Sequence, residues 1–387
     1  MQSLSEETTQ HFMKHLVLIG GGHAHLAVLK ALAQQPNPKL RLSLITPALS
    51  QTYSGMLPGW LAGHYHLADC QINLRPLVTV IGGELILDQA TQLNTDQQLI
   101  KTVGGRVLAY DLLSINTGSE TALPASIASE NVLAIRPLEG LIKAWPQLLK
   151  QAQQQPAYQL AVLGGGAAGV ELAFAIQYAF QQQSAAAQVH LVAPQLLADH
   201  APAVQKRVHK KLLEAGIQWH ASRAQLEPTG LILNIGVNLP VHQVLAATGA
   251  KAARWLSSSG LALDSAGYIK VNPQHQSLSH PNIFAAGDVC SRPEPTLGRS
   301  GVHAVYAGKV LAHNLPAYLA QTPLRSYRPK QCSLYLLATG SKTAIASWGG
   351  FSASGAWVWC WKNHIDQSFM QQYRSHSTEL HASEQQL

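Results

Sequence analysis

Residues 15–33 read HLVLIGGGHAHLAVLKALA, in which a short apolar run leads into three glycines and then into a helix-forming stretch. A second apolar run follows at residues 40–45, so this part of the chain predicts a strand–turn–helix–strand unit. The same order returns in residues 160–180, which read LAVLGGGAAGVELAFAIQYAF and precede an apolar run at residues 189–192. Because an internal repeat is stronger evidence than either copy alone, the sequence predicts two α/β units of the same kind.

Both copies close in the same way, with a Thr-Gly pair directly after an apolar strand. These pairs are Thr117-Gly118 in the first copy and Thr248-Gly249 in the second. A further apolar element, residues 282–288 (NIFAAGD), follows the second copy and precedes another helix-forming stretch. The repeat therefore extends beyond the glycine turns.

The glycine turns have the spacing that binds the pyrophosphate of a dinucleotide. Such a turn needs small residues for the sharp bend, for close approach to the phosphates and for packing of the helix on the strand. The second copy supplies Gly164, Gly166 and Gly169, whereas the first supplies Gly20 and Gly22 with a histidine at the third position. The following helix presents N–H groups and a partial positive charge to the phosphates. A tight turn without a ligand is the alternative for either copy taken alone.

The acidic residue that commonly holds the adenosine ribose is missing from both copies. The second strand of the first copy ends at Thr46, which can still hydrogen-bond a ribose, and that of the second copy is followed by Ala193. Because no carboxylate at Ala193 would repel a 2′-phosphate, NADH and NADPH both remain candidates. Residues 206–211 carry four basic side chains, which either contact that phosphate or form a solvated helix face.

Composition excludes several classes of protein. The formal net charge is +7, but we find no dense Lys/Arg run and no nucleic-acid-binding motif, so a nucleic-acid partner is not expected. No apolar run approaches the roughly 20 residues that a membrane-spanning helix needs. Isolated cysteines argue against a disulfide framework or a zinc site and fit a reducing compartment. The cysteines are Cys70, Cys290, Cys332 and Cys360.

The two glycine turns, the two Thr-Gly pairs and residues 284–288 (FAAGD) together resemble the pyridine nucleotide–disulfide oxidoreductase superfamily, over roughly residues 15–370. Within it the chain looks most like the type II NADH dehydrogenase-like group, in the branch associated with selenide, water dikinase. Three strings carry this narrower resemblance: residues 20–26 (GGGHAHL), residues 53–59 (YSGMLPG), and residues 361–366 (WKNHID) with Phe369-Met370.

The resemblance implies an α/β fold with two Rossmann-like, three-layer ββα domains, the second inserted in the first, and a small α+β C-terminal domain. After a leader at residues 1–14, a discontinuous FAD-binding domain would comprise residues 15–120 and 270–325. Residues 121–269 would form the NAD(P)-binding domain, and residues 326–387 the C-terminal domain and tail.

The resemblance also implies FAD as cofactor and NADH or NADPH as substrate. The first copy would hold FAD, with Asp288 hydrogen-bonded to the ribitol or, alternatively, capping a helix. The second copy would hold NAD(P)H. The residues expected at the two sites are Gly20, Gly22, His23, Ala24, Thr46, Ser54, Thr117, Gly118, Gly164, Gly166, Gly169, Thr248, Gly249, Gly287, Asp288 and Val302.

Three residues are candidates for catalysis. Glu171 would lie close to the nicotinamide and the flavin, or would only stabilise the helix dipole in the first turn. His303 takes the place of a glutamine often found near the flavin in relatives and would relay a proton, or be structural. Lys362 would approach the acceptor site.

The missing cysteines decide the expected chemistry. No CxxxxC pair follows the first glycine turn, which excludes a dithiol relay; hydride transfer from nicotinamide to flavin N5 and then to a diffusible acceptor remains. A quinone is a candidate acceptor. The Trp-rich residues 348–361 would form either a membrane-facing surface or a packed β-hairpin.

Two other functions stay open at this point. One is a flavoprotein of selenium or sulfur metabolism that acts on a small chalcogen compound. The other is a non-catalytic redox sensor, which the missing ribose acids favour. The expected location is cytoplasmic, with peripheral contact at the inner face of the membrane and a homodimer left open.

Overall fold

The structure, a computed structural model, describes residues 13–123, 131–183, 186–227, 230–292, 301–330 and 332–384. Most of the expected leader, residues 1–12, therefore lies outside the described part, and the first strand begins within its last residues, at Lys14.

The first thirteen strands are β1 (Lys14–Ile19), β2 (Leu40–Thr46), β3 (Ser50–Thr52), β4 (Gln71–Asn73), β5 (Glu84–Leu87), β6 (Ala90–Asn94), β7 (Leu99–Thr102), β8 (Val107–Ala109), β9 (Leu112–Ile115), β10 (Glu120–Thr121), β11 (Val132–Ala134), β12 (Gln159–Leu163) and β13 (Gln188–Val192). The later strands are β14 (Gln218–His220), β15 (Ala224–Glu227), β16 (Gly230–Leu233), β17 (Asn238–Pro240), β18 (Gln243–Ala246), β19 (Ala250–Lys251), β20 (Ile269–Lys270), β21 (Ile283–Ala285), β22 (Cys290–Ser291), β23 (Leu334–Thr339), β24 (Ser341–Trp348) and β25 (Phe351–Gly355).

The α-helices are α1 (His23–Gln34), α2 (Leu57–Leu61), α3 (Leu74–Val80), α4 (Leu138–Gln154), α5 (Ala167–Gln182), α6 (Pro202–Glu214), α7 (Gly301–Leu319) and α8 (Ala356–Glu384). Short 3₁₀ helices occupy Ser54–Met56, Leu67–Cys70, Arg254–Ser258 and Gly287–Val289.

Two parallel sheets of five strands confirm the predicted repeat. The first has the order β21-β9-β1-β2-β5 and the second the order β11-β18-β12-β13-β14. In both, the strand before the glycine turn is central, and the strand before the Thr-Gly pair is its neighbour. The two Thr-Gly pairs therefore lie beside the two glycine turns, at the carboxyl ends of the strands, where ligands bind in open α/β sheets.

Each sheet is the middle layer of three. Along β1, Leu16 and Leu18 face a core that includes α1, α3 and α7, whereas Val17 and Ile19 face a core that includes the antiparallel strands β6, β7 and β8. Strand β12 alternates in the same way between α5 and the antiparallel strands β15, β16 and β17. Because a parallel strand is buried on both faces, its residues are apolar without a break. This confirms the expected three-layer ββα architecture.

The C-terminal part contains the antiparallel strands β23, β24 and β25 and the long helix α8. The hairpin interpretation of residues 348–361 is correct only in part, because β25 ends at Gly355 and the remaining residues begin α8. Helix α8 packs against β24 of its own domain and against α3 of the first domain. Among the described residues, no helix combines the length and the apolar character needed to cross a bilayer.

Candidate active site

The first glycine turn is held by a buried asparagine. Gly20 has a φ of +91°, and a Cβ there would lie 2.5 Å from the carbonyl oxygen of Asn116, so only glycine fits. The Asn116 Oδ1 accepts hydrogen bonds from the N–H groups of Ala24 (3.1 Å) and His25 (3.3 Å), and its Nδ2 donates to the Ala286 carbonyl (2.6 Å). Asn116 thus connects the start of α1 with the ends of β9 and β21.

His25 occupies the position of the usual third glycine, and its ring forms two buried hydrogen bonds there. Its Nδ1 lies 2.6 Å from the Gly20 carbonyl oxygen, and its Nε2 lies 2.8 Å from the Ser114 hydroxyl. The side chain is fully buried, and this desolvation lowers the pKa of His25 to about 4, so the ring is neutral at ordinary pH. The side chain connects the turn to β9.

We expect the His25→Ala variant to lose about 2–4 kcal/mol of unfolding free energy, since it leaves a cavity and unpaired polar groups. The pKa of His25 is depressed in the folded state, so its contribution is present above pH 6.5 and is lost as the pH falls towards 4. The acid-side slope of stability should therefore be shallower in the variant. Urea unfolding between pH 4 and 8 measures both effects. The exposed His209 provides the control, His209→Ala, and an equal loss in both variants would contradict this role.

The other residues expected at FAD surround the same strand ends. Thr46 is the last residue of β2, Thr117 and Gly118 follow β9, and Gly287 and Asp288 follow β21. Gly301 begins α7, and a Cβ on it would approach the Ser54 hydroxyl at 3.6 Å, so the residues after β3 lie beside that helix start, next to Val302. Ala24 packs against α7, because a Cβ on Gly308 of that helix would lie 2.8 Å from the Ala24 carbonyl oxygen.

These residues fit a bound dinucleotide. The His23 Nε2 and the Ser119 hydroxyl are buried and have no hydrogen-bond partner among the described residues, so both can bind a ligand. Gly118 has a φ of +73°, and nothing lies within 4 Å of the position of a Cβ there. Such open space beside a strand end allows close approach of a ligand to the backbone.

The second glycine turn shows which glycines the fold needs. At Gly164 and Gly169 a Cβ would collide with backbone, the Ala247 carbonyl in the first case and the Gly164 carbonyl in the second. Gly166, in contrast, has an ordinary φ of −73° and open space around its Cβ position. The fold alone therefore does not require glycine at position 166, which fits close approach of a pyrophosphate.

The second Thr-Gly pair is hydrogen-bonded to the segment that connects the two repeated α/β units. The Thr248 hydroxyl donates to the Ala122 carbonyl (2.8 Å), and the Ala122 N–H donates to the Gly249 carbonyl (2.7 Å). Next to this contact, β10 and β19 form a short antiparallel pair. Thr248 thus contacts the segment around Ala122 that leads from the first repeated unit to the second.

Glu171 lies where α5 of the second repeated unit meets β23 of the C-terminal part. Its Oε1 accepts a hydrogen bond from the Ala338 N–H of β23 at 2.8 Å. Desolvation raises the pKa of Glu171 to about 7, although the nearby Lys362 ammonium and the Ala338 N–H act in the opposite direction. A carboxyl group that titrates near neutral pH suits proton transfer.

Lys362 lies in a buried cluster of charged and polar groups. Its Nζ donates to the Asp366 Oδ2 (2.8 Å) and to the Gly55 carbonyl (2.7 Å), and the Tyr53 hydroxyl donates to the Asp366 Oδ1 (3.1 Å). Burial lowers the pKa of Lys362, but the carboxylates of Asp366 and Glu171 outweigh it and leave the pKa raised. Two strings of the resemblance, residues 53–59 and 361–366, therefore meet in space.

The third string reaches the same place through His23. Its ring lies edge-on to that of Tyr53, with centroids 5.5 Å apart, and Phe369 stacks on Tyr53 at 4.4 Å. Burial lowers the pKa of His23 to about 4. The neutral imidazole thus belongs to an aromatic wall between the first glycine turn and α8.

His303 is placed apart from these contacts. Its Nδ1 lies 2.9 Å from the Tyr327 hydroxyl, and the Arg292 guanidinium lies over the Tyr327 ring, 4.6 Å from its centroid. Burial and Arg292 lower the pKa of His303, while Asp288 acts against them. The described neighbours of His303 are therefore Tyr327, Arg292 and Asp288. They do not include Glu171 or Lys362.

The cysteines form no disulfide. Cys70 and Cys290 are buried, whereas Cys332 and Cys360 are exposed. Burial raises the pKa of Cys70 to about 12, so this thiol is a poor nucleophile. Within the described ranges, no group of three His, Cys, Asp or Glu side chains is arranged to hold a metal ion.

Sequence reasoning missed three residues that organise the site: Asn116, Tyr53 and Asp366. Asn116 precedes the first Thr-Gly pair, where the second copy has Ala247, and this break in the repeat was a usable signal. Asp366 lies four residues after Lys362, a spacing that places both on one side of a helix. Nothing in the sequence indicates that Tyr53 reaches Asp366.

The sequence is similar to those of several known proteins. The sequence model of the family described as "Pyridine nucleotide-disulphide oxidoreductase" matches residues 14–308. Ferroptosis suppressor protein 1 of Homo sapiens is 25% identical over 67% of this chain and 70% of its own. Sulfide-quinone reductase of Aquifex aeolicus is 23% identical over 84% of this chain and 81% of its own.

Solved structures show the same fold. The sulfide:quinone oxidoreductase from Aquifex aeolicus superposes with a TM-score of 0.79 and 20% identity, over 94% of this chain and 92% of its own. NDH2 from Plasmodium falciparum, in complex with NADH, superposes with a TM-score of 0.78 and 12% identity, over 92% of this chain and 97% of its own.

Proposed function

Because the chain belongs to the pyridine nucleotide–disulphide oxidoreductase family, we propose that it passes electrons from NAD(P)H through FAD to a quinone. The chain is a flavin-dependent NAD(P)H oxidoreductase, with FAD as its cofactor and NAD(P)H as its substrate. When bound, FAD would take a hydride from the nicotinamide and pass on the electrons in pairs or singly.

The observation that carries the proposal is that Glu171 and Lys362 come together from different parts of the chain. Glu171 on α5 accepts a hydrogen bond from the Ala338 N–H of β23, and Lys362 on α8 donates to the Gly55 carbonyl after β3. Each charge also shifts the pKa of the other group. Reduction of a quinone to a quinol takes two electrons and two protons. A hydride from NAD(P)H brings both electrons and one proton, so the protein must supply one more proton. Glu171, which titrates near neutral pH, and the Lys362 ammonium can hold that proton and stabilise the developing oxyanion.

The thiols support a diffusible acceptor. The first glycine turn has no cysteine pair beside it, and Cys70 is a poor nucleophile. Among its described residues, the chain therefore offers no dithiol that could accept electrons from the flavin. The similar protein from Aquifex aeolicus is a sulfide-quinone reductase, which favours a quinone as acceptor here as well.

An exposed aromatic surface supports contact with a membrane, where quinones dissolve. It consists of two pairs: Trp348 and Phe351 at the β24–β25 turn, and Trp357 with Trp361 stacked on it (6.5 Å) at the start of α8. Each of the first three is more than half exposed, at 56%, 54% and 56%. Trp is favoured at membrane interfaces, so these exposed side chains fit contact with a bilayer.

Steady-state oxidation of NADH and NADPH with a short-chain quinone tests the proposal. We expect turnover with the quinone and higher rates when a long-chain quinone is carried in phospholipid vesicles. Turnover with polysulfide or selenite in place of quinone would favour the chalcogen function. A flavin that both nucleotides leave oxidised would favour the sensor function.

The Glu171→Gln variant is expected to change the pH dependence of quinone turnover. The protonated carboxyl is the proton-donating form, so turnover of the native chain should fall as the pH rises through about 7. The amide cannot donate a titratable proton, so the variant should be slow and its profile flat across that range. Glu214 is a partly exposed glutamate at the end of α6, far from the site in sequence, so Glu214→Gln is the control. An unchanged inflection in Glu171→Gln would assign the titration to another group.

A further inference from the structure

Lys362 and Asp366 form a buried ion pair in which each carboxylate oxygen and two of the three ammonium N–H bonds are hydrogen-bonded. The two side chains are 9% and 6% exposed and lie one turn apart on α8. Both oxygens of Asp366 are occupied, one by Lys362 and one by the Tyr53 hydroxyl. Two N–H bonds of the ammonium go to Asp366 and the Gly55 carbonyl, so the third has no hydrogen-bond partner among the described residues.

Burial of this pair is costly and indicates a role beyond stability. Removing two charges from water costs several kcal/mol per ion, and well-packed apolar residues of similar size often stabilise a fold as well or better. An ion pair between residues i and i+4 could equally lie on the solvent side of a helix. Here it faces Gly55 and Tyr53, which lie in the string after β3. The pair therefore fixes the ammonium relative to the first nucleotide-binding unit.

We propose that Asp366, anchored by Tyr53, is a positioning residue that holds the Lys362 ammonium toward the reacting acceptor. The inference rests on the proposed function and assigns it two further residues. Lys362 and Asp366 lie on α8, whereas Tyr53 and Gly55 lie after β3. In this arrangement α8 is therefore part of the active site. Tyr53 is itself held by Phe369, which stacks on its ring, and by His23, which lies edge-on to it.

Several titratable groups face the pair from the elements packed around it. They are Glu171 on α5, Tyr53 after β3, and Tyr65 and Cys70 before β4. His23 on α1 contacts Tyr53 and not the pair itself. The Asp366 carboxylate raises the pKa of Glu171 as well as that of Lys362. Removing this negative charge in Asp366→Asn should therefore move both titrations to lower pH.

Tyr65 offers a matched control for Tyr53. Its hydroxyl donates to the Asn363 Oδ1 at 2.8 Å, so it is also a tyrosine near the start of the chain that reaches a polar side chain of α8. That contact does not involve the ion pair. Loss of packing or of an interdomain hydrogen bond should therefore affect Tyr65→Phe as much as Tyr53→Phe, whereas loss of positioning should affect only Tyr53→Phe.

The test combines labelling with turnover, using the full chain with FAD bound. Brief treatment with acetic anhydride, followed by mass spectrometry, reports how firmly and in which charge state Lys362 is held. We expect labelling of Lys362 to rise about 10-fold in Asp366→Asn, to rise less in Tyr53→Phe, and to stay unchanged in Tyr65→Phe and Asp366→Glu. Equal labelling of Lys362 in the native chain and in Asp366→Asn would overturn the proposal.

Turnover supplies the second readout. Quinone reduction by Asp366→Asn should fall about 10- to 100-fold, with the pH inflection shifted roughly one unit towards acid, and Asp366→Glu should restore most of the rate. A reduced rate with an unchanged inflection and no rescue by glutamate would reveal a merely structural residue. If the native chain reduces no quinone but labelling responds as expected, the proposed acceptor is wrong and the positioning of Lys362 stands.

Discussion

Replacing Gly166 with alanine is expected to weaken NAD(P)H binding by about 10- to 100-fold while FAD stays bound and the fold keeps its stability. The added methyl group meets nothing within 4 Å, and the φ of −73° suits any residue, so the protein itself tolerates the change. A pyrophosphate placed against the turn would not tolerate it, because glycine at this position allows the backbone to approach the phosphates. Titration of the nucleotide against flavin absorbance measures the effect.

The contrast with other glycines makes this prediction specific. Gly350 also has open space around its Cβ position, but it lies in the turn of the β24–β25 hairpin, so Gly350→Ala should bind the nucleotide normally. Gly164→Ala should instead fail to fold properly, because the methyl group would collide with the Ala247 carbonyl at a φ of +125°. Normal nucleotide binding by Gly166→Ala would show that the pyrophosphate lies elsewhere.

Replacing Lys362 with methionine is expected to slow quinone reduction by at least about 100-fold. Methionine matches the length of the lysine stem but carries no charge and no donor, so an oxyanion on the acceptor loses its stabilisation. The change also removes the ammonium that lowers the pKa of Glu171, so this pKa rises further, and it leaves the buried Asp366 carboxylate without its charged partner. Rapid mixing of the reduced protein with quinone measures the rate of flavin reoxidation.

The controls separate charge at the site from charge in general. Lys210 lies on α6 with its side chain 77% exposed, and Lys210→Met should reoxidise at the native rate. Flavin content and thermal stability of Lys362→Met show whether the protein has folded. Native-like reoxidation in a folded, FAD-loaded Lys362→Met would contradict a role for this residue in acceptor reduction.

The two glycine turns predicted the fold because their requirements are local. A strand, a turn with glycine at set positions and a following helix lie within about 20 residues of one another, so the pattern is visible in one stretch of sequence. The repeat then predicted the second sheet, and the structure shows the same strand order around both turns. Gly20 and Gly164 illustrate this, since each packs against the carbonyl of the residue before its Thr-Gly pair.

The cluster around Lys362 was not predictable in the same way. The sequence places Lys362 and Asp366 on one side of a helix, but their partners Tyr53 and Gly55 come from the other end of the chain. Which distant residues meet depends on how α8 packs against the first domain, and no local pattern encodes that packing. The buried role of Asn116 has the same origin, because two of its three partners lie on α1 and the third follows β21.

A two-stage anaerobic stopped-flow experiment tests the central claim most directly. The FAD-loaded chain is first mixed with NADH or NADPH and then with quinone, and flavin absorbance near 450 nm is followed in both stages. We expect the flavin band to bleach with at least one nucleotide and to return on addition of quinone, with the second stage slowed in Lys362→Met. A flavin that bleaches but is not reoxidised by quinone would contradict the proposed acceptor. A flavin that neither nucleotide bleaches would contradict the account as a whole.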